Sequence, residues 1–94
     1  MALVELFGRS WKLVSRMYKV LARYQAPKKQ YPVSARIAEI QPNEIVVFVE
    51  HETAGVIYTK SYGDFDSAEN ALYRLKVPET NKYIFWGRTY KYAD

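Results

Sequence analysis

LVELFGRSWKLVSRMYKVLARYQ, residues 3–25, is the stretch whose reading decides the fold. At about 100° per residue, Arg9, Lys12, Arg16, Lys19 and Arg23 fall within a sector of roughly 80°. Leu3, Leu6, Phe7, Trp11, Leu13, Val14, Met17, Tyr18, Val20, Leu21 and Tyr24 cover the opposite half. This spacing predicts a basic amphipathic helix. Glu5 sits one turn before Arg9, a spacing that favours a weak ion pair. Gly8 is a soft spot after which the helix would gain strength. Pro27 disfavours helix at Ala26 and closes the segment, so the helix occupies residues 1–26. Gln25–Tyr31, with Lys28 and Lys29, is the only hinge visible in the chain.

Downstream the period changes from 3.6 to two. Val33, Ala35 and Ile37 alternate with Ser34 and Arg36 as a strand. Gln41-Pro42-Asn43-Glu44 is a turn by composition. Ile45–Glu50 is β-branched and apolar on both faces, which suits a central strand. His51–Gly55 is a loop, and Val56–Tyr62 forms a hairpin with the strand before it. Asp66 starts a second helix, with Glu69 placed to reach back to it in a capping box. Ala68, Ala71, Leu72 and Leu75 turn inward, and the helix runs to about Lys76, before Pro78. Lys82–Tyr92 is the last strand. The expected fold is α+β: an N-terminal amphipathic helix followed by a small antiparallel sheet, in the order α-β-β-β-α-β. Residues 1–94 form one domain, with the sheet and its one helix in 31–94.

Composition narrows the function. The chain has 94 residues, enough for one core. It is 49% hydrophobic and 26% charged, which is globular rather than disordered. Aromatics reach 16%, and nine of them are Tyr, a residue suited to half-wet faces and interfaces. The absence of Cys removes disulfides, thiolate nucleophiles and thiolate metal sites. An unstapled domain of this size reads as intracellular, in a cell's or a host's cytoplasm. The longest apolar run, Ile45–Val49, is too short to span a bilayer, and Met1–Phe7 lacks the pattern of a secretory signal.

Charge is distributed unevenly. Residues 1–29 carry Arg9, Lys12, Arg16, Lys19, Arg23, Lys28 and Lys29 against Glu5 alone. The rest of the chain is slightly acidic, although the whole carries +4. Solvated helix faces ordinarily mix both signs, so a one-signed face points to an acidic partner. The last strand adds a second signal. If it is regular, Trp86, Arg88, Tyr90 and Tyr92 share one face, with Tyr83, Phe85 and Thr89 on the other. Aromatics with a base among them are how sheets stack on nucleotides.

Catalysis finds little support. His51 is the only His, and between Glu50 and Glu52 it reads as surface rather than as a base or a metal ligand. The glycines are scattered and form no phosphate-cradling loop. No cofactor, metal or small-molecule substrate is implied.

Two short patterns bear comparison with families. Ile45 to Leu75, with Gly55 and Phe65-Asp66-Ser67 entering a helix that holds Ala71 and Leu75, loosely resembles the strand–strand–helix unit of the arm-binding domains of tyrosine recombinases. That resemblance implies a sheet in contact with DNA, but this hairpin carries Glu50, Glu52 and Asp64 where such a sheet wants bases. Trp86-Gly87-Arg88 matches the three letters that name the WGR domain, without the long following stretch of that family. Neither is taken as membership.

The reading is a small non-enzymatic module that engages nucleic acid through its basic helix. Arg9, Lys12, Arg16, Lys19, Arg23, Lys28 and Lys29 would contact phosphates, and Trp86, Arg88 and Tyr90 would stack or pack on the ligand. The alternative is a protein–protein component: an assembly subunit, a homo-oligomer, a binder of an acidic protein surface, or a phage- or virus-type accessory protein. A membrane surface comes third.

Overall fold

A computed structural model of the chain describes residues 18–91. Within them the elements are β1 (Lys19–Gln25), β2 (Val33–Gln41), β3 (Glu44–His51), β4 (Gly55–Tyr62), α1 (Phe65–Tyr73) and β5 (Gly87–Lys91). The five strands form one antiparallel sheet in the order β4-β3-β2-β1-β5.

The expected order α-β-β-β-α-β is therefore corrected to β-β-β-β-α-β. Lys19–Gln25, assigned to the basic helix by its periodicity, is an interior strand. The remainder of that expected helix, residues 3–17, lies outside the described residues. The helix-like periodicity of this strand has a physical cause. The register of β1 against β2 shifts between Val20 and Ala22, so Leu21 is an extra residue in the ladder. Leu21 and Ala22 are both buried on the side of α1, and Tyr24 and Ala26 follow them inward. The extra residue puts Leu21 and Tyr24, three positions apart, on one face, a helical spacing within an extended strand. Ladder bonds to β2 and β5 then override local preference. Pro27 ends no helix. Its carbonyl accepts from the N–H of Gln30 (2.9 Å) and of Tyr31 (3.1 Å), forming the turn between β1 and β2.

The centre of the sheet is apolar on both faces. Val33, Ala35, Ile37, Ile45, Val47 and Val49 meet Ala68 and Leu72 of α1, together with Val77 and Ile84. On the second face Ala38, Val46 and Phe48 are buried, and Tyr18 and Ile40 pack beside them. Ile45–Val49 has the two-sided burial that its unbroken run predicts. The Pro42-Asn43 turn needs Asn43 at φ 65°, a left-handed conformation that Asn tolerates.

The second helix begins earlier than expected. Asp64, not Asp66, is the cap: its carboxylate accepts from the N–H of Ser67 at 2.7 Å. Glu69 does not reach back to a cap but faces the sheet, and the helix ends at Tyr73, well before Pro78. The last strand is also shorter than Lys82–Tyr92, since Tyr83–Trp86 precedes the β5 ladder. Among the described residues no helix is long and apolar enough to cross a membrane.

Candidate nucleic-acid interface

The strands place two chemically different ends at opposite poles of the sheet. At one end β1 runs into the turn that carries Lys28 and Lys29, both exposed. The segment after α1 comes back beside that turn. Lys76 bridges to Tyr83, and its ammonium lies 4.9 Å from the centre of the Tyr83 ring. Lys82 is exposed next to them. The carboxylates nearby are Glu52, paired with Lys28 at 2.9 Å, Glu50 beside it on β3, and Glu79 in the turn after Val77. Among the described residues the other end carries Glu39, Glu44, Asp64 and Asp66 with Lys19 and Lys91. Strands of this length separate the ends by roughly 25 Å, well beyond the ~8–10 Å Debye length of physiological salt. Each end therefore presents its own field.

The cationic end is fixed by one side chain. Gln30 Nε2 donates to the Tyr83 carbonyl at 2.8 Å, and Gln30 Oε1 accepts from the Phe85 N–H at 3.1 Å. The side-chain amide does here what a neighbouring strand does elsewhere. On the inner side the Ile84 N–H donates to the Leu75 carbonyl, and Ile84 is buried. Tyr83 and Phe85, on either side of it, are 54% and 75% exposed.

Of the site residues expected from sequence, Arg9, Lys12 and Arg16 lie outside the described residues. Lys19 and Arg23 are separated rather than aligned. Lys19 stands opposite Glu39 on the α1 side, and Arg23 opposite Arg36 on the second face, because of the extra residue Leu21. Arg36 lies over Phe48 at 5.1 Å and faces Glu50 at 3.6 Å. Lys28 and Lys29 are brought together with the 76–85 segment. Trp86 is half-buried against the α1-side core. Arg88 and Tyr90 diverge: Thr89 is extra in the β1–β5 ladder, so Arg88 stands opposite Tyr24 and Tyr90 opposite Arg23, on opposite faces.

No protein family, curated protein or solved structure matches this chain. Its chemistry must be read from its own residues.

Arg88 belongs to a cluster that docks the helix. Glu69 accepts hydrogen bonds from Tyr24 Oη (2.7 Å), from Tyr73 Oη (3.2 Å) and from the Arg88 guanidinium. Burial pushes the Glu69 carboxyl up, but the bonds from Tyr24, Arg88 and Tyr73 outweigh it and hold the group below the usual carboxylate range. Burial, with the adjacent Glu69 carboxylate, pushes the Tyr24 hydroxyl far above the ordinary phenol range. These perturbed groups are engaged with one another, so the perturbation is that of a structural clamp.

His51 is also a structural pin. Its Nδ1 accepts from the N–H of Thr53 (3.2 Å) and of Ala54 (3.3 Å), which places the ring hydrogen of the neutral form on Nε2. The ring meets Tyr31 edge-on at 5.5 Å. Among the described residues no group of three or more His, Asp or Glu is placed to hold a metal ion.

Sequence reasoning passed over Gln30, Lys76, Lys82, Tyr83 and Phe85 as site residues. The usable signal was the triplet Tyr83-Ile84-Phe85, one aliphatic residue between two aromatics. Its strand-like alternation predicts one buried position flanked by two outward ones.

Proposed function

We propose that this domain is a non-enzymatic binding module for nucleic acid, and that the cationic end of the sheet is its contact surface. The observation that carries the reading is the segregation of charge. Among the described residues, Lys28, Lys29, Lys76 and Lys82 with exposed aromatics outnumber Glu50, Glu52 and Glu79 at one end, while Glu39, Glu44, Asp64 and Asp66 outnumber Lys19 and Lys91 at the other. Phosphates are drawn to the first pole and repelled from the second, which orients the domain on its ligand. Lys28 is partly neutralised by Glu52, so Lys29, Lys76 and Lys82 carry most of the contact. The domain makes weakly sequence-specific contacts, since lysines reach phosphates as point charges and phosphate contacts carry no base information.

The test is fluorescence anisotropy with labelled oligonucleotides across a salt series. The wild type should bind at low salt and weaken steeply as salt rises. Changing Lys29, Lys76 and Lys82 to Gln should reduce the slope of log K against log salt by about 2 to 3, three contacts at 0.7–0.9 each. Absence of binding at low salt sinks the reading.

A second reading has one observation in its favour. β4 is at the margin of the sheet, and Val56 and Ile57 on it are 39% and 43% exposed. An exposed edge with apolar side chains is a template for strand pairing between subunits. Sedimentation analysis decides it: a stable dimer that Ile57→Lys converts to monomer would favour assembly.

A further inference from the structure

The Tyr83–Phe85 segment carries an exposed aromatic side chain on a backbone that Gln30 holds in place. An exposed phenyl ring ordinarily gains by folding onto the protein surface. Here Gln30 holds the Tyr83 carbonyl and the Phe85 N–H on the outer side, and the Ile84 N–H is bonded to the Leu75 carbonyl on the inner side. Buried Ile84 prevents the segment from turning over. The Tyr83 ring already has the Lys76 ammonium on it. None of the ring or cation–ring contacts among the described residues involves Phe85. The residue is 75% exposed, its backbone is held by Gln30, and it lies on the segment that carries Lys76 and Lys82.

We propose that Phe85 is a stacking platform for an unpaired base, so that single-stranded nucleic acid is the preferred ligand of the cationic end. This rests on the nucleic-acid reading above and deepens it. A duplex offers its phosphates to the lysines but keeps its base faces inside the stack. A single strand offers both. Stacking on an aromatic side chain tolerates any base, which suits a surface that lacks donors and acceptors arranged for one base edge. Gln30 is a positioning residue: it touches no ligand but fixes the angle of the segment that bears the ring.

The experiment measures binding of the full chain to oligothymidylate and to a duplex of equal length at one fixed salt concentration. Wild type is compared with Phe85→Leu, Phe85→Trp and Gln30→Ala. The single strand should bind more tightly than the duplex. Phe85→Leu should weaken single-strand binding by about 5- to 100-fold and leave duplex binding and the salt slope unchanged. Phe85→Trp should retain single-strand binding and gain a fluorescence component quenched by the single strand alone. Gln30→Ala should fall between wild type and Phe85→Leu on the single strand, with its salt slope intact. Equal wild-type affinity for both ligands, with Phe85→Leu without effect, would overturn the stacking role while leaving the electrostatic contact standing. Failure to bind either ligand at low salt would overturn both.

Discussion

The two ends of the sheet are built from the same strands, yet they differ in how their turns are held and in what they display. At the acidic end the connections are tight and self-contained. Pro42-Asn43 joins β2 to β3 directly, and the Gln41 amide closes on Glu44 at 2.7 Å. Asp64 caps the helix that starts there. At the cationic end the β1–β2 turn and the 76–86 segment are distant in sequence and are joined by the Gln30 side chain, which bonds the Tyr83 carbonyl and the Phe85 N–H. The first end is determined locally, and the second exists only once the sheet and helix have assembled. The difference teaches that the proposed contact surface, made of non-local parts, depends on the docking of α1, whereas the acidic turns do not.

The strongest way to break this contrast is to undock the helix. Leu72 is fully buried between α1 and the sheet, and Leu72→Ala should cost about 2–5 kcal/mol of stability. Chemical denaturation should show that loss. Hydrogen exchange should speed up at residues 76–86 more than at the Pro42-Asn43 turn.

A smaller effect is expected from the carboxylate that clamps the same helix. Glu69→Gln keeps the shape but loses the charge that Tyr24, Tyr73 and Arg88 share, and should cost about 1.5–3 kcal/mol. Its pH dependence sharpens the point. The Glu69 carboxyl is held below its ordinary value in the folded state. Its contribution is therefore present above the unfolded value of about 4.3 and is lost as pH falls through the lower folded value. Tyr24 titrates in the opposite sense. Its hydroxyl is raised on folding, so stability is intact below about pH 10 and falls as pH rises beyond it. Thermal melts should show a plateau between these limits, and Glu69→Gln should flatten the acid limb relative to the wild type.

The two poles can be compared directly in binding. Changing Lys19 and Lys91 at the acidic end to Gln should alter oligonucleotide affinity by less than about twofold, because nearby carboxylates already screen that pole. An effect equal to that of the Lys29, Lys76 and Lys82 set would abolish the distinction. The smallest effect belongs to Asp64→Ala. Asp64 is fully exposed, and its carboxyl is held below the usual range mainly by the Ser67 N–H. The expected result is faster hydrogen exchange at Ser67 and Ala68, with the rest of the fold and the cationic end unchanged.

What was legible in the sequence follows the same division between local and non-local. β2, β3 and β4 were readable because period two or a short β-branched run marked each one, and composition marked the turn Gln41–Glu44. The helix after Gly63 was readable from its inward Ala68 and Leu72, although Asp66 competed with Asp64 for the cap two residues earlier. β1 was not readable. An extra residue at its start gave it a helical stripe, and both of its ladder partners lie elsewhere in the chain. The candidate site divides in the same way. Lys28 and Lys29 stood out as charges next to a proline. Lys76, Lys82 and Phe85 join the proposed site only through Gln30, which closes on the returning chain. Arg88, expected at the ligand, is occupied by Glu69, a partner that no spacing in the sequence announced.

The irregularities in the ladders have an evolutionary corollary. Each of the four strand pairings contains one shift of register, leaving Leu21, Ile40, Ile57 and Thr89 without a counterpart across the ladder. Elsewhere in a strand, losing one residue turns every following side chain to the wrong face. At these positions the ladder closes up instead, and the neighbours keep their orientation. The lineage of this domain should therefore shorten and lengthen by single residues at those four positions and hold constant length between them.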